Sequence, residues 1–388
     1  MMLTVNYITR PWFLDVAVEF INEFKHHVRL NVILIIAPQT ASYLGINPEE
    51  AKKYLNKTLK IEDVLHGDNK ERFYPYFKGA NVFCKFEQHK ESSFQNTLSW
   101  HKLLKENKNL ASADFNVIET LSLADWYFLI RFRNKSLYYI MHDPVPHTGE
   151  ERGRTAKINK LYFPYIKGFI TYSKFASNLF KNYYPKYSSK LFTFSLPIYT
   201  SVNVKPHQDI VAKKNKVVFF GRISPYKGVQ LFYDAATRLV NKFPNTQFII
   251  AGKSTDDYQP EFLSINSHPN IIILNQFIDL DQLYEIMSDA KFCVLPYIDA
   301  TQSGVIMTSY AFNLPVLVSN CEGLLEYCFD QENFSFINGD VEDLARKIEY
   351  LLVDEVFVQN YESAINNFKQ QNVSRQNVDI LLSNYHSL

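Results

Sequence analysis

Glycine is scarce in this chain, with 12 among 388 residues. Each glycine in a turn therefore carries more information than usual. No Gly-x-Gly-x-x-Gly occurs, which argues against a dinucleotide-dependent oxidoreductase. Gly252-Lys253-Ser254 has the look of half a phosphate-binding P-loop, but the first glycine of that motif would fall at Gln247, inside a strand-like run. Cysteine is also sparse. Cys84, Cys293, Cys321 and Cys328 lack paired metal-ligand spacing and His partners, so free thiols and a reducing, cytoplasmic compartment are expected. Neither charge sign is in excess, with 41 Lys and Arg against 40 Asp and Glu and a formal net charge of +1. Overall polyanion binding is not implied, and no nucleic acid is expected as a partner. No run approaches the roughly 18 apolar residues of a membrane span. Met1–Ile8 has no basic region ahead of a long apolar core, so it reads as a first strand rather than a signal peptide.

What is present fits a large globular chain. Hydrophobic residues make up 46% and charged residues 21%, enough to bury a sizeable core, and the length predicts two or three domains. The first half opens as strand Leu3–Ile8, helix Trp12–His26 and strand Asn31–Ala37. Pro48–Leu59 and Ile61–Leu65 read as helical, and Arg72–Phe86 reads as an aromatic, strand-like stretch with no clear place. Strands are expected at Asp114–Ile118, Leu137–Met141, Gly168–Thr171 and Leu191–Phe194, with helices at Ser92–Lys108, Ser122–Phe132, Lys157–Phe163 and Lys174–Tyr184. The polar stretch 201–215 reads as an interdomain linker. Beyond it strands and helices alternate regularly from Val217 to Ser319, and Leu344–Leu352 and Gln359–Ser383 read as closing helices. Such alternation predicts parallel sheets with helices on both faces, and the two series predict two Rossmann-like lobes facing a cleft.

Lys216–Glu326 concentrates the chemistry. The run Val217–Phe220 ends in Gly221-Arg222-Ile223-Ser224-Pro225-Tyr226-Lys227-Gly228; a second polar turn is Thr301-Gln302-Ser303-Gly304-Val305; a third is Cys321-Glu322-Gly323-Leu324-Leu325-Glu326. Each follows an apolar run and precedes a helical pattern. Helix N-termini expose unpaired N–H groups and partial positive charge, which suits phosphate, and Arg222 and Lys227 add cationic donors. The pattern predicts a pocket for a doubly phosphorylated ligand. In the first half, Pro144 and Pro146 forbid helix after strand Leu137–Met141 and pin the His142–Glu150 loop where open α/β sheets bind ligands.

These residues resemble a known family. Gly221–Gly228 is similar to the Gly-Arg-x-x-x-x-Lys-Gly turn of GT-B glycosyltransferases of family 4, the group 1 retaining enzymes. Asn275-Gln276-Phe277, Asp289-Ala290 and Val294-Leu295-Pro296 look like its next segments. Gln302–Val305, Tyr310–Val316, Glu322–Glu326 and the His142-Asp143-Pro144…Gly149-Glu150 run resemble a subgroup of bacterial surface-polysaccharide type. The likeness is strong over about 110 residues and weaker in the first half. It implies an acceptor-binding lobe over 1–200, a nucleotide-sugar-binding lobe over 216–365, and a closing helix, 366–388, returning to the first lobe. It implies that Arg222 and Lys227 contact the donor diphosphate, and that Ser303, Gly304 and Val305 cap it at a helix start beside Gly221 and Gln302. Phe277 and Ile278 would line the nucleobase, and His142 would stand near the transferring sugar. His147 and Glu150 would lie on the acceptor side, although an ordinary loop residue is the favoured reading of His147.

One departure from the family stands out. Its two glutamates, eight positions apart, would fall at Ala300 and Thr308, and neither is acidic. Asp299, Glu322 and Glu326 are the nearest acids and become the candidates for gripping ribose or a sugar hydroxyl. The resemblance implies a nucleotide-diphosphate sugar as co-substrate, no metal, and a glycan or lipid-linked oligosaccharide as acceptor. The basic and aromatic stretch 152–194 reads either as core aromatics with solvated lysines, the favoured reading, or as peripheral contact with an anionic membrane. Two rivals share the fold: a nucleotide-sugar epimerase and a non-catalytic partner subunit.

Overall fold

Continuous apolar runs become strands buried on both faces, and they assemble into two sheets. The computed structural model describes residues 2–88, 93–145, 153–202, 215–256, 258–265 and 268–387. These fall into two units. One runs from the amino terminus to Pro197 and regains Val373–Ser387, and the other spans Ile198–Asn372. The predicted linker lies, over 203–214, outside the described residues.

Unit 1 holds eight strands: β1 (Thr4–Thr9), β2 (Arg29–Ile36), β3 (Thr58–Lys60), β4 (Asn81–Phe86), β5 (Phe115–Ile118), β6 (Ser136–Ile140), β7 (Gly168–Thr171) and β8 (Leu191–Thr193). Their order is β3-β4-β2-β1-β5-β6-β7-β8, parallel except for the β3–β4 pair. The chain winds from β1 towards β2 on one side and β5 lies on the other, so the order reverses between β1 and β5. Helix Leu14–Phe24 buries Val16, Val18, Phe20, Ile21 and Phe24, and Val373–Ser387 packs along it.

Three elements of unit 1 differ from the sequence reading. The helix from Pro48 stops at Lys52, because Asn56 turns left-handed at φ 62° and releases the chain into the edge strand β3. Arg72–Phe86 is split between helix Gly67–Phe77, which carries Pro75 internally, and strand β4. The Ile61–Leu65 region forms only a short 3-10 turn at Ile61–Asp63.

Unit 2 holds β9 (Lys216–Phe220), β10 (Gln247–Ala251), β11 (Ile271–Leu274), β12 (Phe292–Leu295), β13 (Val316–Ser319) and β14 (Ser335–Phe336), in the order β11-β10-β9-β12-β13-β14 and parallel throughout. The register Phe219↔Ile250 on one side of β9 and Val218↔Cys293 on the other fixes the reversal between β9 and β12. In open α/β sheets, ligands bind at the carboxyl ends of the strands that flank such a reversal. Each unit is thus a Rossmann-like doubly wound layer, and the pair is the GT-B fold.

Candidate functional site

Two loops, after β9 and after β12, lie at the carboxyl ends that flank the reversal of the unit 2 sheet. After β9 the chain passes Gly221 and Arg222, makes a 3-10 turn at Pro225–Lys227, and enters helix Val229–Leu239 through Gly228 at φ 60°. Gly228 is required twice over. Its backbone is left-handed, and an added Cβ would lie 1.9 Å from the Pro296 carbonyl oxygen. After β12 the chain runs through Pro296 to Ser303, which caps helix Gly304–Ala311. The two loops are tied where the Ile298 N–H donates to the Tyr226 carbonyl at 2.7 Å. A Cβ added at Gly221 would come within 3.3 Å of Val305 Cγ2, so the first turn abuts the start of that helix.

Two tyrosines connect the cations to the helix start. Arg222 Nη2 donates to the Tyr226 hydroxyl at 3.2 Å. The Lys227 ammonium stands 3.8 Å from the Tyr297 ring centroid and 5.0 Å from that of Tyr226. The Tyr297 hydroxyl in turn meets Ser303 Oγ at 3.2 Å. Burial holds the Tyr297 hydroxyl well above its ordinary pKa, so it stays a neutral phenol. Ser303 Oγ faces Tyr297 rather than the helix, so at the N-cap position it caps none of the first-turn N–H groups with its side chain. Arg222 is exposed and Lys227 half-buried. A cation pair and a helix start on one rim can hold an anion with more than one phosphoryl group.

The remaining predicted residues spread around this rim. Gln302 and Val305 are half-buried beside Ser303, whereas Thr308 is buried within the helix. Gly304 packs against the Tyr199 ring, whose hydroxyl oxygen would stand 2.9 Å from an added Cβ. Phe277, on the loop after β11, is 59% exposed, and Ile278 beside it is half-buried. Asp299 is half-buried, and its charge helps raise the pKa of the Cys321 thiol, which burial raises first. Glu322 opens the short helix Glu322–Leu325, and Glu326 caps its end; both are exposed. The other thiols, Cys84, Cys293 and Cys328, are buried and pushed up, the last two to about 11, so they remain protonated. Among the described residues no three His, Cys, Asp or Glu side chains cluster as metal ligands would.

His142 belongs to unit 1, just beyond β6. Its imidazole stacks on the Phe13 ring, with centroids 4.0 Å apart and planes 5° from parallel. Nearby, at the carboxyl ends of β1 and β4, lies a buried ionic group. Lys85 Nζ donates to Glu87 at 2.5 Å and lies over the Trp100 ring, and Arg10 stands 3.7 Å from the other Glu87 oxygen. His147 and Glu150 lie outside the described residues. Of the stretch 152–194, Tyr162, Phe163 and Phe180 are core residues, while Leu161, Tyr165 and Tyr183 are exposed. No helix among the described residues is long and apolar enough to cross a membrane.

Tyr226, Tyr297 and Tyr199 join the site without being marked by the motifs of the sequence. The first two had a signal, since one lies inside the cationic turn and the other directly follows the Leu295-Pro296 strand end.

Residues 214–354 match the family described as glycosyl transferases group 1. No curated protein matches the chain. Among solved structures it is similar to Anabaena HepE in complex with UDP and glucose, at 15% identity and a TM-score of 0.70, covering 98% of this chain and 99% of that one. It is also similar to sucrose-phosphate synthase of Thermosynechococcus elongatus, at 13% identity and TM-score 0.69 over the full length of both. A third is UDP-GlcNAc 2-epimerase of Neisseria meningitidis bound to UDP-GlcNAc, at 13% identity and TM-score 0.59, covering 99% of this chain and 100% of that one. At such identities the likeness establishes the fold. The chain has the GT-B fold, and residues 214–354, within its second unit, are similar to the group 1 glycosyl transferases.

Proposed function

We propose that the protein is a retaining, metal-independent glycosyltransferase of family 4. It moves a sugar from a nucleotide-diphosphate sugar to a glycan or lipid-linked acceptor during polysaccharide assembly. The observation that carries this reading is the convergence of Arg222, Lys227 and the Ser303–Val305 helix start at the switch point of unit 2. Breaking the sugar–phosphate bond leaves positive charge on the sugar carbon and negative charge on the departing phosphate. The two cations and the helix N–H groups stabilise that phosphate without a metal. The leaving phosphate then serves as the base for the acceptor hydroxyl, and His142 orients the sugar. UDP, bound by HepE and, as part of UDP-GlcNAc, by the epimerase, is the first nucleotide to test.

Phe277 and Ile278 line the nucleobase in this reading. Asp299, Glu322 and Glu326 are the acids available for ribose and sugar hydroxyls. Exposed Leu161, Tyr165 and Tyr183, interleaved with Lys157, Lys160, Lys167 and Lys186, support peripheral contact with an anionic bilayer carrying the acceptor.

The test is a panel of UDP-, GDP- and ADP-sugars offered with and without lipid-linked acceptors. Transfer with retained anomeric configuration in the presence of a chelator is expected. Conversion of the donor sugar without any acceptor would favour an epimerase, and failure to bind any nucleotide diphosphate would favour a non-catalytic role.

A further inference from the structure

Glu119 is buried at the carboxyl end of β5, beside the point where the unit 1 sheet reverses, and nothing above gives it a task. Its position is set by the sheet. The pairing Ile8↔Ile118 places Thr9 and Glu119 side by side at the ends of β1 and β5, and the Glu119 N–H donates to the Ile8 carbonyl at 3.0 Å. Thr9 Oγ1 donates to Glu119 Oε2, which fixes the carboxylate plane. The other oxygen, Oε1, is shut off from solvent and satisfied by no hydrogen bond among the described residues. Facing it at 3.5 Å is His142 Nε2.

A buried carboxylate oxygen left without a hydrogen bond is costly, so a donor for Oε1 is expected. The phenol of Tyr7 is held well above its ordinary pKa, first by burial and next by the Glu119 charge, so it stays a neutral O–H donor beside the carboxylate. The nearby cations Arg10 and Lys85 both pair with Glu87. The imidazole of His142 faces Oε1 directly, with Nε2 at 3.5 Å. Its plane is already set by the parallel Phe13 ring, with Tyr172 tilted at 5.5 Å on its other flank. Hydrogen bonds of this kind are often long without substrate and tighten once it binds.

The geometry points to Glu119 as the positioning residue of His142. Its Oε1 accepts the Nε2–H and thereby selects the tautomer in which Nδ1 is the acceptor nitrogen, while Phe13 fixes the ring plane. An ionised carboxylate only accepts, so it admits one neutral tautomer; the amide of a glutamine can present either an oxygen or an NH2 and admits both. The rate consequence rests on the transferase reading, in which His142 orients the sugar, but the tautomer does not.

The experiment uses the full chain labelled with 15N-histidine, with His142 assigned by the signal lost in His142→Gln. The pH is raised until the imidazole spectra stop changing. His142 is expected wholly as the Nε2–H tautomer in the wild type and in Glu119→Asp, and with a substantial Nδ1–H fraction in Glu119→Gln. With a donor identified, Glu119→Gln should lower kcat by about 10–100-fold, the usual cost of losing the partner that orients a working histidine, with donor KM within about twofold. Glu119→Asp should recover part of that loss. An Nδ1–H tautomer in the wild type overturns the proposal without any variant, which covers the case in which Glu119→Gln does not fold. So does a tautomer unchanged in folded Glu119→Gln. If no nucleotide sugar is turned over, the transferase reading fails while the spectra still decide this one.

Discussion

The ammonium of Lys227 rests 3.8 Å from the centre of the Tyr297 ring, and the hydroxyl of that ring contacts Ser303 Oγ at 3.2 Å. One tyrosine thus presses a cation from the first loop against the capping residue of the helix that follows β12. The aromatic face holds the ammonium at the rim by a cation–π contact.

Removing that charge should therefore abolish transfer and spare the fold. Arg222→Ala and Lys227→Ala are each expected to lower kcat/KM by about 10²–10³-fold, the cost of losing one donor to a developing anion. The melting temperature should stay within a few degrees. Full activity in the double variant would dismiss this rim as the donor site. Tyr297→Phe keeps the ring under Lys227 and deletes only the contact with Ser303, so it should cost about 1 kcal/mol of stability in urea titration.

Gly228 should tolerate no side chain. Gly228→Ala forces alanine to φ 60° and drives its Cβ to 1.9 Å from a carbonyl oxygen that is part of the neighbouring loop. A loss exceeding about 2 kcal/mol is expected from denaturant midpoints, since left-handed strain alone costs about 1–3 kcal/mol. Gly339→Ala, also left-handed but with nothing within 4 Å, provides the control and should lose less.

Lys85 and Glu87 should behave as a unit. Burial lowers the Lys85 pKa, and Glu87 works against that shift. Lys85→Met strands Glu87 beside Arg10 alone and should destabilise unit 1 by about 3–5 kcal/mol. Adding Glu87→Gln should recover part of that loss. Additive losses in the double variant, read by chemical denaturation, would mean the two side chains act separately.

Asp343 gives a pH signature. Burial alone would raise its pKa, but the Ile337 N–H donating at 2.8 Å and the Arg346 guanidinium bring it below the ordinary 3.8. A depressed carboxyl contributes stability that is complete above the unfolded value and is lost as pH falls through the folded one. Asp343→Asn keeps an acceptor for Ile337 and loses the charge. Its melting temperature should lie below that of the wild type at pH 6, and the gap should close below pH about 3.8. A gap independent of pH would contradict this.

Much of this molecule could be read from the chain because its signals are local. Val217–Phe220 and Asn31–Ile36 are unbroken apolar runs, which only a doubly covered strand accommodates. Arg222 and Lys227 declare themselves by sharing one short turn with Gly221 and Gly228. Arg72–Phe86 misled because aromatic side chains serve helix and strand alike, and Pro75 masks the helical part. Glu119 was beyond reach for a different reason. Its neighbours are Thr9 and His142, far away in sequence, and only the registers of β5 with β1 and β6 bring them together. The acidic part of the candidate donor site stayed open for the same reason, since Asp299 lies in the loop after β12 and Glu322 and Glu326 on the short helix after β13.

Helix Val373–Ser387 lies along Leu14–Phe24 and ties Ser195 through Asn377, whose side chain accepts from the Ser195 N–H at 3.0 Å and donates to its carbonyl at 2.8 Å. Unit 1 is therefore completed by residues that leave the ribosome only after all of unit 2. During synthesis the apolar flank of Leu14–Phe24 must wait uncovered while the second unit is made, at about 5–20 residues per second. The order of manufacture thus runs against the order of the sequence: the unit begun second is the one able to finish first.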